Sequence, residues 1–583
     1  MSALLALVLA LPPQVLPGPV EQPVPDPLRL LPADCLIAAV TDPGPWRRHG
    51  AGTEAAALLG HEGLRRFLDR LIPDRRWLES ASRHRLVVGI GWSDLRAGRL
   101  LLILEPPGGS SGDSPPPDLS FLGAEERSVE VDGVQVHLAA GGAWCRDDRR
   151  TLVLFRLDHL AGIFSMVRGA EAGGETAAAA EEGAAWLARR LRAARAGEEG
   201  TLAGLPSIRG LRAALAGDED LLRIWVPFEN WSMDALGDLL GFDPDAMPFD
   251  MAEILEPYGF GQMEGVGWTV SVDGRLLHDR VLVLGDRPMA RFYGRPFAGD
   301  EVLGRFDALP GDTTMATITR FSPVGMVEAI TESLDRIFPA LGVDWRQDLP
   351  VDLGSWLDHA ERIAAALGEE VTMVQRAEDL WEHRNGALWF EPPDLEAFQE
   401  ALAAVPPEIL ALARQGMDAG PGGYRFALDV RDGRVYLATG LAEDEADGRL
   451  GEQRPWRRLR PWVAARLAAG GVNAVGYVGP EVIAEGLDLL RRDGLPPELS
   501  FLLPEGADLS LLPDFDFVAS RLGGSATVTS FNQDGLMIES VGPFGYLGAV
   551  FLSPAVVEGA LQGMSAQAPL LQLDEFEQDD DVF

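Results

Sequence analysis

The chain has 583 residues, of which 46% are hydrophobic and 24% charged, and its 50 basic and 89 acidic side chains give a formal charge of −39. This length exceeds one hydrophobic core and predicts several compact units. Nucleic acid phosphates and anionic membrane surfaces repel such a polyanion, so non-specific binding to either is excluded. The sequence contains no lysine, which excludes pyridoxal-phosphate catalysis and other amine chemistry.

The N-terminus predicts export. Residues Ala3–Leu11 form an unbroken apolar stretch of signal-peptide length, and a Pro-rich tether follows. We therefore interpret residues 1–28 as a signal segment and tether, and expect the protein in the periplasm or at the cell surface. The alternative is a cytoplasmic protein with a short apolar N-terminal flap. No other segment has the roughly 18 uninterrupted apolar residues of a membrane span, so none is predicted in the mature chain.

Two cysteines, Cys35 and Cys145, are the only ones in the sequence. Two thiols cannot build a disulfide framework or an all-cysteine zinc site. Cys35 lies in an apolar, strand-like run where a small buried thiol is expected, and whether the two cysteines pair stays open.

Several sequence landmarks occur twice in the same order. The segment LPADCLIAAVTD at Leu31–Asp42 returns as LPGDTTMATITR at Leu309–Arg320, an offset of 309 − 31 = 278 residues. The phrases FLDRLIP and SLDRIFP follow, and then the strand stops LEPP and FEPP. The preserved order predicts two tandem homologous modules, at residues 29–307 and 308–566, with an acidic disordered tail at 567–583.

Turn signals in both halves predict the fold class. Asp-Gly pairs occur at 132–133, 273–274, 432–433 and 534–535, and they are typical of tight hairpin turns because both residues tolerate positive φ. Amphipathic stretches at Thr53–Ile72 and Gly325–Phe338 predict helices. Hairpins interspersed with helices favour an α+β fold in which antiparallel sheets pack against helices.

These motifs resemble an uncharacterised family of exported bacterial proteins whose modules open with LPADT-like strands and which is known as a domain of unknown function. The resemblance rests on the LPADC opening, the Asp-Gly hairpins and the segment Leu512–Pro543, and it covers most of residues 31–554. Cys35 replaces the usual Thr, which Thr313 retains in the second copy. The resemblance implies export and duplication, and it implies no activity or catalytic residue.

No motif predicts a catalytic, cofactor or metal site. Gly108–Gly112 matches the G-x-S-x-G pattern but lies in a Gly/Ser/Pro linker, where no helix follows to form a nucleophile elbow. The eight histidines have no metal-ligand spacing, and His359 is expected on a solvated helix face. The acidic runs 243–250 and 443–448 lack the EF-hand spacing and are interpreted as exposed loops.

One segment suggests a weak partner surface. In RPWRRLRPW, arginines alternate with tryptophans, a pattern suited to anion binding or aromatic stacking. A similar Arg-rich run at 185–195 favours the simpler interpretation, a helix whose Arg face pairs with the acidic surface. The candidate surface residues are Arg454, Trp456, Arg457, Arg458, Arg460 and Trp462.

The sequence thus favours a non-enzymatic binding or interaction scaffold without a cofactor, whose partner is an unknown protein, peptide or lipid. Clefts between domains are preferred ligand sites, and a smooth apolar groove would favour lipid or peptide binding. The alternative is a periplasmic hydrolase that uses carboxylates or metal-activated water. That alternative requires acidic or His side chains to converge in one pocket.

Overall fold

The computed structural model describes the larger part of the chain. The described residues are 27–71, 84–91, 99–105, 117, 119, 122, 125–139, 141–146, 150–156, 183–189, 192, 201–217, 220–231, 251–286, 289–346, 353–376, 386–407, 427–431, 433–438, 448–493 and 508–544.

Eighteen antiparallel strands form one sheet within these ranges. Their bounds are β1 (Cys35–Thr41), β2 (Arg85–Gly91), β3 (Arg99–Glu105), β4 (Glu125–Val131), β5 (Val134–Ala139), β6 (Gly142–Arg146), β7 (Thr151–Arg156), β8 (Asp220–Pro227), β9 (Met263–Asp273), β10 (Leu276–Gly285), β11 (Thr313–Arg320), β12 (Glu370–Arg376), β13 (Gly386–Phe390), β14 (Ala427–Arg431), β15 (Arg434–Ala438), β16 (Val472–Val478), β17 (Ser525–Asn532) and β18 (Gly535–Gly542). The mixed fold of helices and antiparallel sheet predicted from the sequence is confirmed.

The strand pairings give a continuous order across the sheet. It runs β4-β5-β6-β7-β3-β2-β1-β8-β9-β10, and then β18-β17-β16-β11-β12-β13-β15-β14. The central pair joins β10 to β18 in unbroken register from Leu277 opposite Gly542 to Leu284 opposite Gly535.

The tight turns differ in which residues form them. Asp132 and Gly133, with φ of 53° and 78°, join β4 to β5 as a type I′ turn requires. Between β9 and β10 the two-residue loop is Gly274–Arg275, because Asp273 still pairs with Leu276. Between β17 and β18 the loop is Gln533–Asp534, and Gly535 is already the first residue of β18.

Along the chain, the helices connect the strands. Their bounds are α1 (Pro43–His49), α2 (Glu54–Leu59), α3 (Glu62–Leu71), α4 (Pro206–Ala214), α5 (Met251–Leu255), α6 (Glu301–Ala308), α7 (Pro323–Ala340), α8 (Leu353–Leu367), α9 (Leu395–Ala403), α10 (Arg454–Ala469), α11 (Pro480–Asp493) and α12 (Phe515–Arg521). Residues 183–189 are also helical. None of the helices in the described ranges is long and apolar enough to cross a membrane.

Side chains alternate between the two faces of the sheet, and each face has its own core. On β10, Leu282 belongs to the core of the first face and Leu277 to that of the second. Helix α4 covers the first face over β8–β10, and α10 covers it over β16 and β17. Helix α6 contributes Phe306 to the same core as α10, although α6 ends at the boundary expected near residue 308.

Two groups of helices lie apart from these. The first, which we call the closed layer, consists of α2, α11 and α12. Its apolar residues Leu58, Ile483 and Val518 are fully buried against one another. The second, which we call the open layer, consists of α5, α7, α8 and α9, and α7 and α8 connect β11 to β12.

Candidate functional site

Helix α7 begins and ends at clear sequence signals. The side chain of Ser322 accepts a hydrogen bond from the backbone N–H of Gly325 at 3.1 Å, and Pro323 occupies the first helical position. At the other end, Gly342 adopts a φ of 73°, the left-handed conformation that commonly ends a helix. The helix is therefore 18 residues long, longer than the stretch Gly325–Phe338 predicted from its periodicity.

One side of α7 is formed by small residues and packs tightly. Gly325, Ala329 and Ser333 repeat every fourth residue, lie on one face and are the buried residues of the helix. A Cβ atom on Gly325 would lie 2.1 Å from the carbonyl oxygen of Arg291, so this position requires glycine. The hydroxyl of Ser333 donates to the carbonyl oxygen of Ile254 at 3.2 Å. The small side chains let α7 approach the backbone of residues 254 and 291.

Ion pairs fix the same side of α7. Arg291 donates two hydrogen bonds to the carboxylate of Glu332, at 2.8 and 3.0 Å. This hydrogen bonding lowers the pKa of the Glu332 carboxyl. Arg336 pairs with Glu256 at 2.7 Å and also donates to the carbonyl oxygen of Glu253. The helix is thus anchored to residues 253–256 and 291, which precede the second repeat.

The large apolar side chains of α7 are half-buried, and the one at its end is exposed. Their positions repeat at three and four residues, so they form one stripe. None of them is classed as buried, and Leu341 at the end of the stripe is 47% exposed. A soluble amphipathic helix ordinarily buries this stripe against a neighbour. The stripe consists of Met326, Val327, Ile330, Leu334, Ile337 and Leu341.

Helix α8 packs beside α7 and leaves a groove between them. Its residues Trp356, His359, Ala360, Ile363, Ala364 and Leu367 line the groove together with Phe321, Pro323, Met326, Val327 and Val405. The cavity volume is about 370 Å³, within the range of sites that bind small molecules. Trp356 is 39% exposed, one of four large hydrophobic residues with such exposure in the described ranges.

His359 is the only polar side chain in the lining. The sequence placed it on a solvated helix face, whereas the structure places it against the groove. Its Nδ1 atom is enclosed and has no hydrogen-bond partner among the described residues. A single imidazole among ten apolar side chains gives the groove the chemistry of an apolar binding site. The imidazole is the one group of the described lining that could exchange a proton.

The residues predicted as a partner surface all lie on α10. Trp456 is wholly buried, stacks on Phe306 at 4.8 Å and donates its indole N–H to Asp307 at 2.8 Å. Arg460 hydrogen bonds to the same carboxylate at 3.0 Å. Trp456 and Arg460 therefore belong to the core and its rim.

The other members of that segment differ in exposure. Arg458 donates to the buried carboxylate of Glu54 at 2.8 Å. Trp462 is half-buried beside His278 and is contacted by the guanidinium of Arg466, 4.9 Å from the ring centre. Arg454 and Arg457 are exposed, as is Arg458 beside the buried Glu54.

The remaining sequence candidates are distributed as follows. The G-x-S-x-G match at 108–112 and the acidic runs at 243–250 and 443–447 lie outside the described residues. Cys35 and Cys145 are both buried thiols. Within the described ranges, no three His, Cys, Asp or Glu side chains converge as a metal site requires. The groove was not predicted, although the apolar periodicity of α7 and the exposed Trp356 were readable signals.

Comparison with known proteins gives no assignment. No family model matches the chain, and no curated protein matches it. Among solved structures, crystal form I of TP0453 is similar over 44% of this chain and 78% of that chain, with 8% identity and a TM-score of 0.22. Crystal form III covers 45% and 80%, with 9% identity and a TM-score of 0.23.

Proposed function

We propose that the protein is a non-enzymatic binding protein that takes an apolar small molecule into the groove between α7 and α8. The observation that carries this proposal is the cavity of about 370 Å³ that Met326 and Val327 of the α7 stripe line together with apolar residues of α8, among them the exposed Trp356. Leaving such surface in water costs about 25 cal/mol per Å², so an apolar occupant that covers it is stabilised by the same amount.

The closed layer offers a comparison within the same molecule. There, Leu58 of α2 meets Ile483 of α11 and Val518 of α12, and each is at most 3% exposed. In the open layer Leu357 and Ala364 of α8 are also buried, but among the described residues the apolar stripe of α7 and Trp356 are covered only in part. Solvent-exposed grooves rimmed by polar residues are typical of binding sites. The hydrolase alternative would need convergent acidic or His groups, and the groove lining contains one His.

We further propose that the scaffold arose by duplication. From the central β10–β18 pair outward, the order β9-β8-β1-β2-β3-β7-β6 has the counterpart β17-β16-β11-β12-β13-β15-β14. In chain order, strands β11–β18 of the second half then correspond to β1–β3 and β6–β10 of the first half. Under this correspondence β14–β15 align with β6–β7, and the β4–β5 hairpin at Asp132–Gly133 is an addition to the first half.

The duplication also accounts for the two helix layers. Helices α1–α3 follow the first strand of the first half, and α7–α8 follow the first strand of the second half. The set α1–α3 contacts elements that lie between β16 and β17 in the second half. The set α7–α8 contacts elements that lie between β8 and β9 in the first half. Since α6 packs with the second half, we place the boundary between the halves within 286–300 instead of at 308. Export to the periplasm or cell surface remains part of the proposal, supported by Ala3–Leu11 and the Pro-rich tether.

A pair of variants on α8 tests the binding site. Ala360 lines the groove, and Ala365 is exposed on another side of the same helix. We expect Ala360→Phe to fill the cavity and to weaken binding of the neutral fluorophore N-phenyl-1-naphthylamine at least tenfold. Ala365→Phe should leave this affinity unchanged. Circular dichroism melting of both variants checks that they fold.

Equal affinity of the two variants for the fluorophore would place its binding elsewhere on the protein. No saturable binding to the wild-type protein would remove the proposal altogether.

A further inference from the structure

We infer that the groove selects an uncharged ligand and discriminates against anionic amphiphiles such as fatty acid carboxylates. This inference deepens the proposed function and rests on it. An apolar lining by itself accepts the hydrocarbon chain of an alcohol, an acid or a quaternary amine. The charges around the lining decide which head group can accompany the chain.

Among the described residues no arginine lines the groove, whose eleven lining residues comprise ten apolar ones and His359. A carboxylate that entered would therefore lose its water and gain at most one hydrogen bond, from the imidazole of His359. Fatty acid carboxylates need a cationic partner because an unpaired anion is costly to bury. This first consideration already favours a neutral head group.

The segment that forms the groove is itself acidic. The described residues 323–346 and 353–367 contain six acidic and three basic side chains, a net charge of −3, and the pairing of Arg291 with Glu332 is balanced by that of Arg336 with Glu256. The three basic residues are already engaged: Arg336 with Glu256, Arg346 with Asp335, and Arg362 with the carbonyl oxygen of Asp358. The field at the groove is therefore negative, in a chain whose total charge is −39.

The acidic side chains near the groove repel an anionic head group but lie outside the apolar lining. Asp358 and Glu361 are exposed on α8, whereas Glu328 on α7 lies 3.8 Å from the guanidinium of Arg291 and is partly neutralised by it. By helical position they lie away from the lining residues, which occupy every third and fourth position. They leave the apolar wall unobstructed and act on a charged head group through solvent, where ionic strength screens them.

Two probes with the same twelve-carbon chain separate the head groups. Dodecan-1-ol, below its solubility limit, and dodecanoate, below its micellar concentration, compete with N-phenyl-1-naphthylamine at pH 8 and low ionic strength. We expect dodecan-1-ol to bind roughly tenfold more tightly than dodecanoate. This ratio should shrink severalfold at 0.5 M salt, because salt screens the acidic field.

Variants locate the source of the discrimination. Asp358→Asn combined with Glu361→Gln should strengthen dodecanoate binding and leave dodecan-1-ol binding unchanged. Asp516→Asn, an exposed acid on α12 of the closed layer, is the matched control and should change neither affinity.

The outcomes are distinguishable. If neither probe competes, the proposed apolar site itself fails. If dodecanoate binds as tightly as the alcohol, the site stands and the charge selection is overturned. Discrimination that responds neither to salt nor to the double variant would overturn the acidic field as its source, because the cost of burying an unpaired carboxylate does not depend on ionic strength.

Discussion

A single buried carboxylate joins segments of the chain that lie far apart in sequence. Glu54, at the start of α2, is 1% exposed. It accepts a hydrogen bond from Arg458 of α10, 404 residues away, at 2.8 Å, and another from the backbone N–H of Gly523. We expect substitution of Arg458 to be more destabilising than substitution of Glu54.

The asymmetry follows from the burial of the two partners. Arg458→Met leaves the Glu54 charge buried without its cation, and breaking a buried pair in this way costs about 3–5 kcal/mol. The N–H of Gly523 still donates to the Glu54 carboxylate, so we expect the free energy of unfolding to fall by about 3 kcal/mol. In Glu54→Gln, the stranded Arg458 side chain is 37% exposed and reaches water. The amide oxygen still accepts from Gly523, so we expect a loss of about 1–2 kcal/mol.

A double-mutant cycle measured by urea unfolding tests this reasoning. The coupling between the two substitutions should be about 1–3 kcal/mol, so the double variant should be less destabilised than the sum. The exposed pair of Arg66 and Glu62, 62% and 66% exposed, provides the control, and Arg66→Met should cost less than about 0.5 kcal/mol. If Arg458→Met were no costlier than Glu54→Gln, or if the coupling were zero, the buried ion pair would not have the role assigned to it.

Three further outcomes are expected. Gly325→Ala should destabilise the protein, because the new Cβ would lie 2.1 Å from a backbone carbonyl oxygen. Gly304→Ala in α6, where the space around the position is open, should stabilise the protein by up to about 1 kcal/mol. Thermal melting of the two variants compares them. Burial raises the pKa of Glu539, but hydrogen bonding to His278 and the neighbouring arginine outweigh burial, so the pKa lies below its usual value. The stability that the ionised Glu539 contributes is therefore present above the unfolded pKa of about 4.3 and is lost as pH falls through the folded pKa. Glu539→Gln should flatten the acid side of a profile of urea midpoint against pH. Trp356→Ala should cost less than about 1 kcal/mol in thermal unfolding, unlike a buried aromatic, while it weakens fluorophore binding severalfold.

The elements themselves were largely predictable from local sequence. The apolar run after LPADC forms β1, and its counterpart forms β11, because β-branched and apolar residues favour a pleated, buried strand. The join between the halves was not predictable. β10 and β18 are more than 250 residues apart in the chain. Their register depends on packing against both faces of the sheet, each of which has its own core. No local signal encodes which distant strand completes an edge.

The Arg and Trp segment shows why composition alone misplaces a site. RPWRRLRPW has the residue types of a recognition surface, yet its helical geometry decides their use. Trp456 and Arg460 are four residues apart, lie on one side of α10 and both reach Asp307. Asp307 precedes them by about 150 residues, and so the sequence could not indicate that it receives their donors.

The groove illustrates the opposite error, because its helix was predicted and its role was not. An apolar stripe looks the same whether a neighbour covers it or not. What distinguishes α7 is the kind of contact its neighbours supply: carbonyl oxygens at 253, 254 and 291 and the carboxylate of Glu256. These contacts engage its small and charged residues and leave its apolar side unfilled. The closed layer, whose helices meet through leucine, isoleucine and valine, needs no occupant. The difference between the two layers therefore lies in the chemistry of their partners, and it is the reason we propose the open layer as the site of ligand binding.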